Sequence, residues 1–426
     1  MDEFENNMLI SDNPVHEPEE ILKNYFEDCS NCYLSDLEKN ILPFWLEHGL
    51  DKVNGGFFTC VDRDGSLMDT TKSVWFQGRA AYVFALAYNN IKKNAEWLEA
   101  ARSAIDFIEK YCFDTDGRMF FEISAEGVGL RKRRYLFSEC FAAIAMAEYS
   151  KATNDKDYAE KALDLFRRII HYKNTPGLLQ PKYSPAVDMK GLSLPMILLN
   201  TAIRIREVVN DDLPNSQIEE SLWEIKNHFL KPDFKALLEN VTSNGEFIDS
   251  NAGRTVNPGH SIEAAWFIME EAEYRNNDPE LIKLATTILD WSWEIGWDKE
   301  YGGLYNFRDC KGLPPQDYSQ DMKFWWPQTE ALIAALYAFK LTGDLKYYEM
   351  HKTIHSYVYR FFPDKEYGEW YGYLHRDGSV AQPAKGNLFK GPFHIPRMMM
   401  IASQLCNDIN INPKLLLQMS EAEIAG

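Results

Sequence analysis

The sequence predicts an all-α protein, a closed (α/α)6 barrel with short β-hairpins in its loops. Apolar residues recur at spacings of three and four through twelve segments, as in amphipathic helices. Every second segment is mostly apolar and rich in small residues, while the segments between carry more charge. A polar residue also recurs just inside each apolar segment, at intervals of about 60 to 70 residues. Six inner and six outer helices explain these three observations together.

The predicted helices follow the periodicity in chain order. They are Ile21–Leu42, Trp75–Ile91, Ala95–Tyr111, Phe137–Lys151, Tyr158–Tyr172, Leu194–Val209, Ile218–Leu230, Ser261–Tyr274, Pro279–Ile295, Thr329–Leu341, Leu345–Phe361 and Ile395–Cys406. The polar residues at the inner starts are Arg79, Glu139, Asn200, His260, Glu330 and His394. In a closed ring these six side chains would line one central pit. An open superhelix of helix pairs is the alternative, and six repeats with unlike loops favour the ring.

Four short segments between helices have aromatic or β-branched residues and mostly end in Asp-Gly or a similar turn. They are Gly55–Gly65, Gly117–Ser124, Gly302–Gly312 and Tyr371–Gly378. This pattern is typical of small β-hairpins. No Pro/Gly/Ser-rich linker divides the chain. We therefore expect one catalytic domain over residues 16–406, with flexible tails at 1–15 and 407–426.

Composition excludes several classes of protein. The chain has 426 residues and a formal net charge of −19, which argues against nucleic acid or an anionic membrane as partner. No apolar run reaches the roughly 20 residues of a membrane span. The first residues have no basic and apolar signal pattern, and the seven cysteines suggest no disulfide framework, so we expect a cytoplasmic protein.

The aromatic content, 14%, is compatible with a sugar site, because a pyranose stacks its apolar face on aromatic rings. A large core built of aromatic residues is the alternative explanation. Trp325 and Trp326 are candidate stacking platforms near an inner helix start. With Trp75, Glu139 and Asn200 they form the predicted substrate-binding set.

His260 and His394 are the main catalytic candidates, since each follows a turn signal at a helix start. Imidazole exchanges protons near neutral pH, and a helix amino terminus favours its neutral form. Glu263, one turn after His260, is predicted to orient that ring. Helix capping is the alternative role for either histidine.

Two further charged residues belong to the predicted catalytic set. Arg79 could stabilise an oxyanion, or it could form a buried ion pair with Glu139 or Glu330. Glu330 could orient a histidine, hold sugar hydroxyls or pair with Arg79.

No metal site is expected. Cys29-x-x-Cys32 has no second pair, and His351 and His355 are predicted to lie on the solvated face of an outer helix. The basic run Arg131–Arg134 is interpreted as a surface patch, with phosphate or nucleotide binding as the alternative.

Two bases in one pit suit proton removal from one face of a carbon and return to the other. In an open-chain sugar the C1 aldehyde acidifies the C2–H, so epimerisation at C2 through an enolate-type intermediate is the predicted reaction. Arg79 would stabilise the oxyanion. This chemistry requires no metal or redox cofactor.

The segments Trp75–Tyr82 (WFQGRAAY), Arg254–Phe267 (RTVNPGHSIEAAWF), Trp325–Leu332 (WWPQTEAL) and Phe389–Met398 (FKGPFHIPRM) closely resemble the N-acylglucosamine 2-epimerase family. The resemblance runs in order from about residue 20 to 404. It implies an (α/α)6 barrel, a homodimer, and interconversion of N-acetyl-D-glucosamine and N-acetyl-D-mannosamine. The residues matching the family's essential set are Arg79, His260, Glu330 and His394. It also implies that ATP or another nucleotide could act as an activator that is not consumed.

Other functions remain open on sequence alone. Cellobiose 2-epimerases and aldose–ketose isomerases acting on mannose share this fold. A glycoside hydrolase would need two carboxylates flanking the scissile bond and would leave two histidines without a role. A non-catalytic protein-binding module is suggested only by the name renin-binding protein, which is given to animal members of the family.

Overall fold

The computed structural model describes residues 18–180, 184 and 186–412, and within them the predicted helices are present. The helices are α1 Pro18–Asp36, α2 Leu42–His48, α3 Val74–Asn90, α4 Ala95–Tyr111, α5 Phe137–Thr153, α6 Lys156–Asn174, α7 Ser193–Arg206, α8 Asp212–Glu224, α9 Pro258–Tyr274, α10 Pro279–Gly296, α11 Trp325–Thr342, α12 Leu345–Phe361 and α13 His394–Asn410. The bounds of α4 and α12 coincide with the prediction. The predicted Ile21–Leu42 is instead α1, a π-helical turn at Leu37–Ile41, and α2.

The inner ring consists of α3, α5, α7, α9, α11 and α13. Each contacts the next, and α13 contacts α3, which closes the ring. Small residues permit the close approach: a Cβ on Gly78 of α3 would lie 2.7 Å from the backbone of Phe141 in α5. The predicted closed (α/α)6 barrel is therefore confirmed.

The outer helices α4, α6, α8, α10 and α12 begin in the same way. An Asn or Asp side chain just before each helix accepts a hydrogen bond from a backbone N–H of its first turn. The caps are Asn94, Asp155, Asp211, Asp278 and Asp344. Each cap satisfies an otherwise orphan donor, so the sequence marks where each hairpin turns outward.

Short strands join the helices at the end of the barrel where the inner helices begin. They are β1 Cys60–Val61, β2 Leu67–Asp69, β3 Lys72–Ser73, β4 Glu122–Ile123, β5 Gly129–Arg131, β6 Lys190–Gly191, β7 Leu230–Lys231, β8 Ala236–Leu237, β9 Asn240–Val241, β10 Thr255–Val256, β11 Arg308–Asp309, β12 Lys323–Phe324, β13 Tyr373–Leu374 and β14 Val380–Gln382. The predicted turns close β-hairpins β1–β2, β4–β5 and β13–β14. The predicted local hairpin at Gly302–Gly312 is wrong, because β11 pairs with the distant β10 just before α9.

A recurrent ion pair fastens the loops at this end. An aspartate after an outer helix accepts a hydrogen bond from, or pairs with, a lysine that lies before the following inner helix. The pairs are Asp51–Lys72, Asp114–Lys132, Asp298–Lys323 and Asp364–Lys385. Burial lowers the pKa of Lys323 and of Lys385 to about 8, although the partner aspartates oppose the shift. These pairs hold the loops that frame the barrel's mouth.

Ion pairs also join the carboxyl ends of the inner helices. Lys151 of α5 pairs with Glu207 after α7, Arg204 of α7 pairs with Glu270 of α9, and Lys340 of α11 pairs with Glu273 of α9 and Asp408 of α13. The chain of pairs therefore runs through five of the six inner units.

Two general features complete the fold. Among the described residues, no helix combines the length and apolar character that a bilayer crossing requires. All seven cysteines are free thiols. Helix α13 extends to Asn410, past the predicted end of the domain, while residues 1–15 and 413–426 of the predicted tails lie outside the described residues.

Candidate active site

A cavity of about 720 Å³ opens where the inner helices begin. Its lining includes five charged or ionisable side chains from three inner helices: Arg79, His260, Glu263, His394 and Arg397. The predicted pit therefore exists. Ring closure brings these residues together although they are spread over more than 300 positions of the chain.

His394, the first residue of α13, is buried beside a carboxylate. Its Nδ1 lies 2.8 Å from Oε1 of Glu330 in α11. An ionised carboxylate accepts the Nδ1 proton, which leaves Nε2 with the lone pair that a base needs. Burial, with the nearby charges of Arg397 and Arg79, holds the pKa of His394 well below its usual value. The imidazole is therefore neutral at neutral pH.

His260, in the first turn of α9, also has a carboxylate on Nδ1, but the partner is Glu239 at 2.9 Å. Backbone bonds on both sides hold Glu239: its N–H donates to Thr255 O, and its O accepts from Leu192 N–H. The prediction that Glu263 orients His260 is wrong. Glu263 lies one turn after His260 on α9, but its carboxylate accepts a hydrogen bond from Arg397.

Trp326 connects the two imidazoles. Its ring centroid lies 5.1 Å from that of His260 and 5.8 Å from that of His394. Both imidazoles therefore contact the same indole and line the same cavity, where one sugar carbon can lie within reach of both.

Arg397, one turn into α13, was not singled out from the sequence. Its Nη2 donates to Glu263 Oε1 and Glu330 Oε2, at 2.7 Å each, and lies 3.4 Å from His394 Nδ1. Glu263, Glu330 and His394 are near enough to hold a metal ion, but this guanidinium already places a positive charge between the two carboxylates. Arg397 lies three residues after His394 and therefore on the same helical face, and this spacing is the sequence signal that could have identified it.

Arg79 forms neither of the ion pairs considered from the sequence. Its guanidinium lies against the rings of Phe141 and Phe393, and Nη1 donates to Phe389 O at 3.0 Å. Its Nε is buried with no hydrogen-bond partner in the described part of the chain. Burial lowers the pKa of Arg79 to about 9, so it is still a cation at neutral pH. Such a group is suited to an oxyanion.

The predicted substrate-binding residues divide into two groups. Trp75, Asn200, Trp325 and Trp326 line the cavity. The indole Nε1 of Trp75 and that of Trp325 are buried without hydrogen-bond partners among the described residues. Glu139 is a correction: it accepts from Arg118 Nε at 2.7 Å and from Met119 N–H at 3.0 Å, outside the lining.

The outer histidines are also a correction. His351 is completely buried between α1 and α12, where Tyr25 lies on Nδ1 at 2.8 Å and Tyr33 on Nε2 at 3.0 Å. The Tyr33 hydroxyl also lies 2.8 Å from Nδ1 of His355. These four residues form a buried hydrogen-bonded seam rather than a solvated face.

Most side chains of the basic run Arg131–Arg134 interact with other residues of the protein. Arg131 pairs with Glu122, Lys132 with Asp114 and Asp116, and Arg133 stacks on Phe121. Only Arg134 of the four lines the cavity, so the run forms no common anion site.

With this geometry in place, comparison with known proteins decides the family. A sequence profile described as N-acylglucosamine 2-epimerase (GlcNAc 2-epimerase) matches residues 56–390. The chain is 36% identical over 375 residues to N-acylglucosamine 2-epimerase of Mus musculus, covering 86% of this chain and 89% of that protein. The chain belongs to the N-acylglucosamine 2-epimerase family.

The chain is also similar, at lower identity, to cellobiose 2-epimerases. Cellobiose 2-epimerase of Dictyoglomus turgidum is 25% identical over 396 residues, covering 85% of this chain and 95% of that protein. The solved structure of cellobiose 2-epimerase from Bacillus thermoamylovorans B4167 superimposes with a TM-score of 0.79 at 22% identity, covering 89% and 99% of the two chains. That likeness supports the (α/α)6 fold.

Proposed function

We propose that the chain is a sugar 2-epimerase that interconverts N-acetyl-D-glucosamine and N-acetyl-D-mannosamine. The observation that carries the proposal is the pair of imidazoles in one cavity, each with Nδ1 on a carboxylate and each against Trp326. One neutral imidazole removes the C2 proton of the open-chain sugar and becomes an imidazolium. The other enters the step protonated at Nε2, donates that proton to the opposite face and becomes neutral. Family membership supports the same substrate class.

Arg79 is the oxyanion partner in this scheme. Removal of the C2 proton moves negative charge onto the C1 oxygen, and a cation without a carboxylate partner stabilises that charge best. The net change is one proton at one carbon, so no electron acceptor and no group carrier is required.

Deuterium exchange tests the scheme. In heavy water the wild-type protein should place deuterium at C2 of both sugars, as proton NMR would show. We expect His260→Asn and His394→Asn each to lose inversion, because one face then has no base, while each keeps slow exchange on one epimer only. Inversion above about 1% of the wild-type rate in both variants would refute the two-base mechanism.

A cellobiose or mannose 2-epimerase, or an aldose–ketose isomerase, is the second candidate. The cavity of about 720 Å³ leaves room beyond one monosaccharide, which favours a disaccharide as an alternative substrate. Cellobiose, glucose and mannose should be assayed beside both N-acetylhexosamines. Conversion of mannose to fructose without action on the acetamido sugars would replace the first proposal.

A glycoside hydrolase fits the geometry poorly. Hydrolysis needs two carboxylates on opposite sides of a scissile bond. Here Glu263 and Glu330 share one guanidinium, and Glu239 holds His260.

Three expectations from the family resemblance remain proposals. The protein would be a homodimer, it would act in the cytoplasm, and ATP would activate it without being consumed. Light scattering at several concentrations tests the first, localisation of the tagged full chain tests the second, and a non-hydrolysable ATP analogue in the exchange assay tests the third.

A further inference from the structure

A lysine next to the cavity wall connects two elements that the mechanism has not used. Lys190 of β6 directly precedes Gly191, which lines the cavity. Its Nζ donates to Glu224 Oε1 at 2.7 Å and lies 2.6 Å from His228 Nδ1. Glu224 is the last residue of α8, and His228 lies in the π-helical turn Ile225–Phe229 that follows. Lys190, Glu224 and His228, called the outer clamp below, therefore join β6 to the end of α8.

The same two elements hold the segment that carries Glu239. On one side, the N–H of Leu238 donates to Phe229 O in the π-helical turn at 3.0 Å. On the other side, Glu239 O accepts from the N–H of Leu192, just after β6, at 3.0 Å. Strand β6 also pairs with β9, which begins directly after Glu239. A shift of β6 against the turn therefore moves Glu239, whose carboxylate lies 2.9 Å from His260 Nδ1.

The outer clamp requires a neutral imidazole. The Lys190 ammonium has donors only, so His228 Nδ1 must carry a lone pair in order to accept from it. A proton on that nitrogen removes the acceptor and places two cations side by side. Glu224 then remains the partner of both, since its carboxylate lies 3.9 Å from His228 Nδ1.

The surroundings of His228 favour the neutral ring. Its centroid lies 4.7 Å from that of Trp223, and a Cβ on Gly245 would lie 2.3 Å from its Cδ2. The charged groups that act on the ring are Lys190 of β6, Glu224 of α8 and Lys231 of β7. Burial and the two lysines lower the pKa of His228 from its usual value, and Glu224 opposes the shift. The ring is therefore neutral at neutral pH and becomes protonated as the pH falls.

We propose that Lys190 is a positioning residue that keeps the Glu239 carboxylate on Nδ1 of His260. It does so while His228 is neutral, because β6 and the π-helical turn are then joined. Protonation of His228 opens the outer clamp, the carboxylate moves, and proton transfer at C2 slows. The inference rests on the proposed epimerase function and adds an acid-sensitive control outside the cavity. Since Lys190 is not a lining residue, it acts on kcat rather than on substrate binding.

Variants of Lys190 test the assignment by steady-state epimerisation of N-acetylglucosamine. Lys190→Met removes the ammonium and should lower kcat at least about ten-fold, while KM changes less than about two-fold, because Glu239 moves and the substrate contacts remain. Lys190→Arg keeps a cationic donor and should restore kcat to within about three-fold of the wild type. Lys151→Met is the matched control, since it removes an ion pair of similar exposure at the opposite end of the barrel, and kcat should stay within about two-fold.

Variants of His228 test the role of its protonation. His228→Gln supplies an acceptor that cannot be protonated, so kcat at neutral pH should stay within about two-fold of the wild type. The fraction of that kcat retained at about pH 5 should be about three-fold higher than in the wild type. His228→Lys places a second cation beside Lys190 at every pH and should lower kcat at neutral pH about ten-fold. Thermal unfolding checks that each variant is folded.

A spectroscopic signal separates this inference from the proposed function. The Nδ1 proton of His260, bonded to a carboxylate, gives a downfield proton NMR resonance that His260→Asn identifies by its loss. This resonance should shift or disappear in Lys190→Met and persist in Lys151→Met. Wild-type kcat and an unshifted resonance in Lys190→Met would overturn the inference, and so would wild-type kcat in His228→Lys. Absence of C2 exchange in the wild type would instead contradict the proposed function, and the resonance would still decide whether Lys190 positions Glu239.

Discussion

The two ends of the barrel use charged side chains in opposite ways. At the carboxyl ends of the inner helices, Arg204 and Lys340 are neutralised by glutamate or aspartate from neighbouring helices. At the mouth, Arg79 is packed between phenylalanine rings, and among the described residues it donates to the Phe389 carbonyl and to no carboxylate. A charge paired within the protein holds helices together, whereas a charge left unpaired is available to a ligand.

The largest expected effect comes from removing the unpaired cation. Arg79→Met should lower kcat/KM by about 10²- to 10³-fold, because the oxyanion loses its main stabilising charge. The melting temperature should stay the same or rise, since an apolar side chain replaces a half-buried guanidinium that donates to no carboxylate among the described residues. Steady-state kinetics and calorimetry measure both quantities. A large loss of stability would show that Arg79 is structural.

Arg204→Met should give the reverse result at the other end. Removing the guanidinium leaves the half-buried Glu270 without its partner, so the free energy of unfolding should fall by about 2 kcal/mol. This loss of stability lies between that expected for a fully exposed ion pair and that for a fully buried one, because both side chains are partly exposed. Activity should stay within about two-fold, since distant sites act independently. Urea unfolding measures the stability and the kinetic assay measures the activity. A loss of activity without a loss of stability would contradict the proposed difference between the two ends of the barrel.

Arg397 tests how charge at the mouth sets a base. Burial lowers the pKa of His394 most, and the positive charges of Arg397 and Arg79 lower it further. In Arg397→Gln the pKa of His394 should rise, so more of the imidazole is protonated at a given pH. The acid limb of the kcat/KM profile should then move up by at least about one pH unit. Lys340→Gln, at the other end, is the control and should leave the profile in place.

The smallest expected effect concerns the buried seam, where imidazoles are structural rather than catalytic. Burial holds the pKa of His351 well below 6.5 and lowers that of His355 to about 4. The unfolded chain therefore binds more protons below pH 6.5, and stability should fall as pH falls from 6.5 toward 4. The slope should be about 1 kcal/mol per pH unit for each imidazole.

A matched pair of variants sharpens this last prediction. His351→Gln keeps a donor and an acceptor between Tyr25 and Tyr33 and should reduce the acid sensitivity of the melting temperature. His171→Gln changes an exposed histidine and should not alter it. Equal acid sensitivity in both variants would contradict the role given to the seam.

Sequence reasoning succeeded where the signal is local. The apolar spacing located the inner and outer helices, and turn residues placed His260 and His394 at helix starts, as the structure has them. It failed for Glu263, because spacing along one helix shows which residues share a face but not which distant residue competes for them. Glu239, on an irregular segment between β8 and β9, carries no periodic signal.

The sequence by itself determined the repeat of helix pairs, the faces that are buried and the chemical groups available at the inner helix starts. These properties depend on residues within about one or two turns of each other, so the linear order contains them. The tertiary structure alone decided the partners: Glu239 for His260, Arg397 for Glu263, and Tyr33 for two histidines. These choices depend on distances through space, which exist only once α13 has closed the ring against α3.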